Sequence, residues 1–259
     1  MTSFKKQIPE YRELIDDSLN KILPASNQSS KELNLAMAYS VLNGGKRIRP
    51  LMMLASAKTL DVDIQEVIPF AASIELLHSF SLIHDDLPCM DNDKLRRGKP
   101  TAHIKFGEST AVLAGNSLLT MAFEILSHKD LNLSEKIKIN LINKISESSG
   151  HLGIAGGQYL DLSFEHKKVS KKKIVDMEIK KTGKLFSFCC VAPLIIKKKS
   201  KQEINKFENI GADIGLLFQV ADDLIDNVEV YVGAITMVQL FALVEKDLEQ
   251  ACWQNLPDP

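Results

Sequence analysis

Four aspartates, Asp85, Asp86, Asp91 and Asp93, fall within nine residues of this 259-residue chain, and Arg96 and Arg97 follow shortly after. So many carboxylates in one place disfavour each other's ionisation unless a cation compensates them. Oxygen-only donors suit a hard divalent ion, and Mg2+ characteristically joins one or two carboxylates to substrate phosphates. Guanidinium forks match phosphate oxygens. Residues 81–100 therefore have the composition of a site for a metal-complexed phosphate or diphosphate. The competing reading is a solvated acidic turn beside an exposed basic pair.

Arginine is used sparingly. Of 32 basic residues only five are arginine: Arg12, Arg47, Arg49, Arg96 and Arg97. Four of them lie in two short stretches, GGKRIRP (residues 44–50) and LRRGKP (residues 95–100). Where lysine serves elsewhere, concentrated arginine implies a need for bidentate anion binding. The first stretch lacks the GxxxxGK[ST] spacing of a Walker loop. Its backbone amides and cations can still close round an anion, although it also reads as a helix–helix turn with exposed cations.

A second acidic group stands near the other end of the chain. Gln219, Asp222, Asp223 and Asp226 span an arc of roughly 100° at α-helical spacing. Three carboxylates on one stripe repel each other unless they share a cation. Both acidic groups fall near helix C-termini, where the helix dipole already disfavours negative charge, and metal ions bound between them would resolve both conflicts. His78 lies seven residues before Asp85, on the same helical face. An EF-hand is excluded, because the third ligand position counted from Asp91 is Leu95 and no glycine follows it. No Ser-His-Asp or reactive-cysteine arrangement is evident.

These residues need elements to hold them, and the apolar spacing is helical throughout. Helices are predicted over residues 4–23, 31–42, 51–60, 66–86, 108–126, 134–149 (with Ser134 as cap), 151–164, 176–196 and 206–226. Thr182-Gly183 interrupts the eighth of these. Gly153, Gly156 and Gly157, followed by Gln158 and Asp161, suggest close approach of another backbone or a ligand. No strand alternation or hairpin signal precedes Asn227, so the fold class is all-α. Composition is that of an ordinary globular protein, with 45% apolar and 25% charged residues and a net charge of −1. That balance gives no pointer to nucleic acid or an anionic membrane. Cys89, Cys189, Cys190 and Cys252 show no CxxC spacing and read as reduced thiols of a cytoplasmic protein without a signal peptide. No apolar run reaches the length of a membrane span; residues 230–244 come nearest.

The motifs in their order resemble the trans-isoprenyl diphosphate synthases, specifically the short-chain bacterial farnesyl and geranylgeranyl diphosphate synthases. The resemblance rests on GGKRIRP, HSFSLIHDDLPCMDNDKLRRGKPTAH (residues 78–103), GGQYLDL (156–162), KKTGKLF (180–186) and FQVADDLID (218–226). It covers most of residues 33–227. It implies an isoprenoid-synthase-type helical bundle around a central cavity, in a homodimer, that condenses an allylic diphosphate head to tail with isopentenyl diphosphate. It also implies Mg2+, three ions per site with Mn2+ as a substitute, held by Asp85, Asp86 and Asp91, with Asp222 completing the metal site and Asp223 and Asp226 in support. Arg96, Lys184 and Lys181 would contact the allylic diphosphate. Lys46, Arg49, His78 and Arg97 would bind isopentenyl diphosphate, and Thr182 and Gln219 would stabilise the allylic cation. Phe80, five residues before Asp85, would form part of the floor that sets product length, and the inserted Pro88-Cys89 is typical of the bacterial enzymes. A C15 product is the first reading and C20 the second.

After Asn227 the resemblance stops. Residues 1–227 read as the synthase domain and residues 228–259 as an atypical tail, with no lysine or arginine from Val228 through Glu245 to match the diphosphate-binding lysine of the family. Two other readings follow from that pattern. A terpene cyclase shares the aspartate-rich site but has no use for the isopentenyl-binding cations. A non-catalytic family member would fit the altered tail but not the intact aspartate motifs.

Overall fold

A computed structural model describes residues 4–25 and 30–226, except the side chains of Lys5 and of residues 223–226. Among these residues the helices are α1 (Phe4–Ile22), α2 (Lys31–Leu42), α3 (Ile48–Thr59), α4 (Ile64–Asp85), α5 (Ala102–Phe106) and α6 (Glu108–Ser127). They continue with α7 (Glu135–Ser149), α8 (Ile154–Phe164), α9 (Lys171–Glu178), α10 (Lys184–Ile196) and α11 (Lys201–Asp226). The all-α reading holds, with one addition reported below. The tail at 228–259, Cys252 and part of the polar loop before α2 lie outside the described residues.

Of the described residues, those in Met1–Ile8, Met52–Val67 and Leu133–Pro259 make up one compact unit, and those in Pro9–Leu51 and Ile68–Asn132 make up the other. The second unit is built on α4. Phe70, Ala71, Ala72, Ile74, Leu76 and Leu77 are all buried, so the helix is apolar on every side, as a core helix must be. Glu75 is buried in the middle of that run, and a carboxylate there requires a partner. In the same unit α2 packs on α5 and α6. Both α4 and α6 are long and apolar enough, by length and composition, to cross a membrane, although polar and charged residues interrupt their apolar runs. Of their most apolar windows 72% and 33%, respectively, is buried within the protein.

The segment after α4 is not all loop. Leu95–Arg96 (β1) and Lys99–Pro100 (β2) pair antiparallel, with Arg96 opposite Lys99. Arg97 (φ 54°) and Gly98 (φ 74°) make the turn. Two-residue hairpins favour positive φ at both turn positions, usually with Asn-Gly or Asp-Gly. Here Arg-Gly fills that role, and so the hairpin is hidden from a composition-based reading. The Tyr39 hydroxyl donates to the Pro100 carbonyl (2.8 Å) and fastens the hairpin to α2.

The other unit is centred on α10, in which every residue from Leu185 to Ile196 is buried, packed on α7 and α11. Thr182-Gly183 does not interrupt the helix. Ile179–Gly183 forms a π-helical turn joining α9 to α10, the kind of one-residue widening that recurs at functional sites. The glycine-rich stretch serves close approach, as its composition suggests. A Cβ on Gly157 of α8 would stand 2.3 Å from the Lys181 backbone nitrogen. Ser134 occupies the N-cap position of α7 but makes no side-chain cap bond. Cys189 and Cys190 are buried and Cys89 is exposed, and none of the three is in a disulfide among the described residues. Burial pushes the Cys190 thiol up to about 12, so it is inert.

Candidate active site

The acidic stretch is organised by the end of α4. Asp86 N still bonds Leu82 O (3.0 Å), and the turn beyond it folds back so that Asp91 N reaches Asp85 O (2.9 Å). Asp85, Asp86 and Asp91 thus share one helix end and its turn. The Asp86 side chain is buried. Arg96 lies across it, donating from Nε (3.0 Å) and from Nη2 to the same carboxylate oxygen, and Nη2 also reaches Asp93 (3.1 Å). Burial pushes the Asp86 carboxyl above its ordinary value, and Arg96 offsets only part of this. Burial also works against the Arg96 charge, but Asp86, Asp93 and Asp85 outweigh it and raise the arginine's pKa.

Among the described residues no three or more His, Cys, Asp or Glu side chains converge to hold an ion. The donor chemistry nevertheless fits a hard divalent cation, because only carboxylate oxygens are offered at this helix end. A small, solvent-open hollow adjoins this group, lined by Tyr39, Asn43, Leu82, Asp86, Arg96 and Arg97 among others. Asp222 is half-buried on α11, in the other unit. The side chains of Asp223 and Asp226 lie outside the described residues.

The cationic set assembles around His78. Arg49 Nη1 stands 3.4 Å from His78 Nε2. Burial, and then Arg49, Arg97, Arg96 and Arg47, hold the imidazole pKa well below its ordinary value. Four of the chain's five arginines therefore act on one neutral histidine, which can donate or accept a hydrogen bond. Arg97 is held below the ordinary arginine value, first by burial and then by Arg47 and Arg96, with Glu75 opposing. Its Nη1 donates to the Gly44 carbonyl. Its guanidinium fills the place of a side chain at Gly45, where a Cβ would lie 2.8 Å from Arg97 Cζ. Lys46 is exposed on the same loop.

Arg47 departs from the expectation that this arginine cluster binds anions. It is buried and bound to Asp16, Glu75 and the Val41 carbonyl. Burial disfavours its charge, but Glu75 and Asp16 outweigh that, and its pKa is raised. The signal that could have shown this is Glu75, a lone carboxylate in the apolar run VIPFAASIELL.

In the other unit the π-helical turn sorts its side chains among neighbouring helices. Buried Thr182 donates to Gln219 Oε1 of α11 (3.3 Å). Lys181 reaches Asp161 of α8 (2.5 Å), and Lys184 reaches Glu208 of α11 (3.5 Å), which Lys144 also holds (2.7 Å). Burial pushes Glu208 up, but the two lysines prevail and lower its pKa. Phe80 is half-buried on α4 and meets His84 edge to face, with ring centroids 5.5 Å apart. His84 Nε2 lies 3.2 Å from the Val112 carbonyl of α6. Gly115 of α6 makes room for its ring, since a Cβ there would stand 2.2 Å from Nε2.

Residues 30–231 match a family described as polyprenyl synthetase. The chain is 42% identical over 218 residues to the farnesyl diphosphate synthase of Micrococcus luteus, covering 84% of this chain and 73% of that protein. It is 38% identical over 218 residues to the geranylgeranyl diphosphate synthase of Cyanophora paradoxa, covering 84% of this chain and 72% of that one. Among solved structures, the apo FPP/GFPP synthase of Zymomonas mobilis superposes with a TM-score of 0.83 at 36% identity, over 96% of this chain and 91% of the other.

Proposed function

The chain belongs to the polyprenyl synthetase family, and from that footing we propose that it makes farnesyl diphosphate by joining isopentenyl diphosphate head to tail to dimethylallyl or geranyl diphosphate. The observation that carries this reading is the placing of Arg49 at His78 of α4 (3.4 Å) and of Arg97 on the Gly44 carbonyl of the loop that also carries Lys46, on the helix that ends at Asp85-Asp86. A cationic pocket adjoining a carboxylate group is what two diphosphates, one of them metal-bound, require.

In this reading Lys46, Arg49, His78 and Arg97 bind isopentenyl diphosphate. Arg96, Lys181 and Lys184 bind the allylic diphosphate and draw off its negative charge as the allylic carbon–oxygen bond breaks. Thr182 and Gln219, already hydrogen-bonded to each other, present oxygens that stabilise the allylic cation. The double bond of isopentenyl diphosphate then forms the new carbon–carbon bond, and the released diphosphate accepts the proton lost from the product. Asp85, Asp86 and Asp91, with Asp222 and its neighbours Asp223 and Asp226, would hold Mg2+. Bound there, the cation neutralises diphosphate charge; three ions per site fit that many carboxylates, and Mn2+ would meet the same donors.

The assignment extends to residues 1–227 as one synthase domain and to a cytoplasmic homodimer. Exposed Val112 and Leu113 on α6 support a pairing surface. Geranylgeranyl diphosphate is the second reading for the product, supported by the similarity to the Cyanophora paradoxa enzyme. The test is incubation with Mg2+, labelled isopentenyl diphosphate and geranyl diphosphate, followed by product chromatography. Labelled C15 product is expected. Cyclic hydrocarbon free of label would point to a cyclase, and no turnover to a non-catalytic protein.

A further inference from the structure

Among the four arginines of the two basic stretches, Arg47 is the most deeply buried, 4% exposed. It sits in the left-handed region (φ 52°) just before α3, and its carbonyl accepts from Leu51 N (3.0 Å). Its guanidinium spends its nitrogens on three different helices. Nε donates to Asp16 of α1 (2.8 Å), Nη1 to Glu75 of α4 (2.6 Å) and Nη2 to the Val41 carbonyl of α2 (2.9 Å).

Glu75, at 2% exposure, has no access to water that would stabilise its charge. A buried pair of this kind is weak evidence for stability, because apolar residues of similar volume often serve as well. What it does supply is a fixed geometry. Here it joins the loop that carries Lys46 and Arg49 to α4, where His78 stands three residues, about one helical turn, after Glu75. The Arg49–His78 approach of 3.4 Å spans the same joint. Arg12 clasps the Gly45 carbonyl (3.0 Å) and Arg97 the Gly44 carbonyl, so any shift of the loop also moves the footing of Arg97.

We infer that Arg47 and Glu75 are positioning residues for the isopentenyl diphosphate subsite, setting the register between the Lys46–Arg49 loop and His78 without touching the substrate. This rests on the function proposed above, which assigns that subsite its ligand. Asp85, Asp86 and Arg96, assigned to the allylic diphosphate, lie at the far end of α4 and on the hairpin. Loss of the joint therefore falls on one substrate and spares the other.

The test uses the full chain carrying Glu75→Gln, and separately Arg47→Met with Glu75→Leu. Each variant is assayed for KM of both substrates, for calorimetric binding of isopentenyl diphosphate and for thermal melting. Glu75→Gln is expected to raise Kd and KM for isopentenyl diphosphate about tenfold or more, to leave the allylic KM within about twofold, and to lower Tm. The double variant removes the buried charges together, so its Tm returns towards that of the wild type while its isopentenyl KM stays high. The positioning role is overturned if the double variant regains the wild-type isopentenyl KM, if both KM values rise together, or if neither moves. A wild-type protein that neither binds nor consumes isopentenyl diphosphate overturns the proposed function itself, a distinct result.

Discussion

Arg96 donates twice to one oxygen of Asp86, so a side chain assigned to a diphosphate holds a carboxylate assigned to a cation. Guanidinium and metal compete for the same lone pairs. Replacing Arg96 should therefore have two effects of opposite sign. Arg96→Gln is expected to bind Mn2+ more tightly in the absence of substrate, as followed by electron paramagnetic resonance. It is also expected to raise the KM for geranyl diphosphate about tenfold, from the loss of a charge-assisted contact. Weaker Mn2+ binding in the variant would count against the exchange.

His78 provides a pH test away from the acidic group. Burial and its arginines hold the imidazole well below its ordinary pKa, so the folded protein binds this proton more weakly than the unfolded chain. Stability present above the unfolded value of about 6.5 is then lost as pH falls below it. His78→Gln has no proton to bind. Its Tm should drop less than that of the wild type between about pH 7 and pH 5, as read from melting curves at several pH values. A steeper drop in the variant would contradict the neutral histidine.

Much of this was legible in the sequence because the relevant residues are local. The aspartates at the end of α4, the paired arginines and the helix-period apolar spacing lie within single elements, where spacing fixes the face. What escaped depends on partners far along the chain. The arginine-rich stretch GGKRIRP reads as anion-binding as a whole, and nothing in it sets Arg47 apart, because its burial partner Glu75 lies 28 residues on, inside a helix whose apolar run gives no sign of which cation turns towards it. The hairpin escaped because Arg97 adopts a conformation usually left to Asn or Asp. The π turn escaped because its cue, Thr182-Gly183, reads equally well as a break. The stripe of Asp222, Asp223 and Asp226 was read from periodicity alone, and of these only Asp222 has a described side chain.

Glu208 gives an acid-side prediction of its own. Lys144 and Lys184 lower its pKa against the opposing effect of burial. Its contribution to stability is thus present above the unfolded glutamate value of about 4.3, and it is lost as pH falls through the lower folded value. Glu208→Gln should be less stable than the wild type by about 1 kcal/mol at pH 7, and this gap should close near about pH 3. Chemical denaturation at the two pH values measures it. A gap that persists in acid would mean that packing, not the two lysines, sets the effect.

Phe80 governs the last prediction, on product length. Its ring stands edge-on to His84 at an interplanar angle of 89°. His84 is in turn lodged against α6 at Val112 and Gly115. Phe80 thus occupies a braced position one and a half turns before Asp85, where a growing chain whose diphosphate is held at the aspartates would meet it. Phe80→Ala removes the ring without disturbing a carboxylate or a cation. For a half-buried phenylalanine it should cost less than the 3–5 kcal/mol of a fully buried one, leaving a folded protein to assay. The expected result is a product at least one five-carbon unit longer, C20 in place of C15, with the KM for isopentenyl diphosphate little changed. Gly115→Ala serves as the control, since it crowds His84 from the other side and opens no space; it should not lengthen the product. If Phe80→Ala still stops at C15, the floor lies elsewhere and Phe80 is only a packing residue of α4.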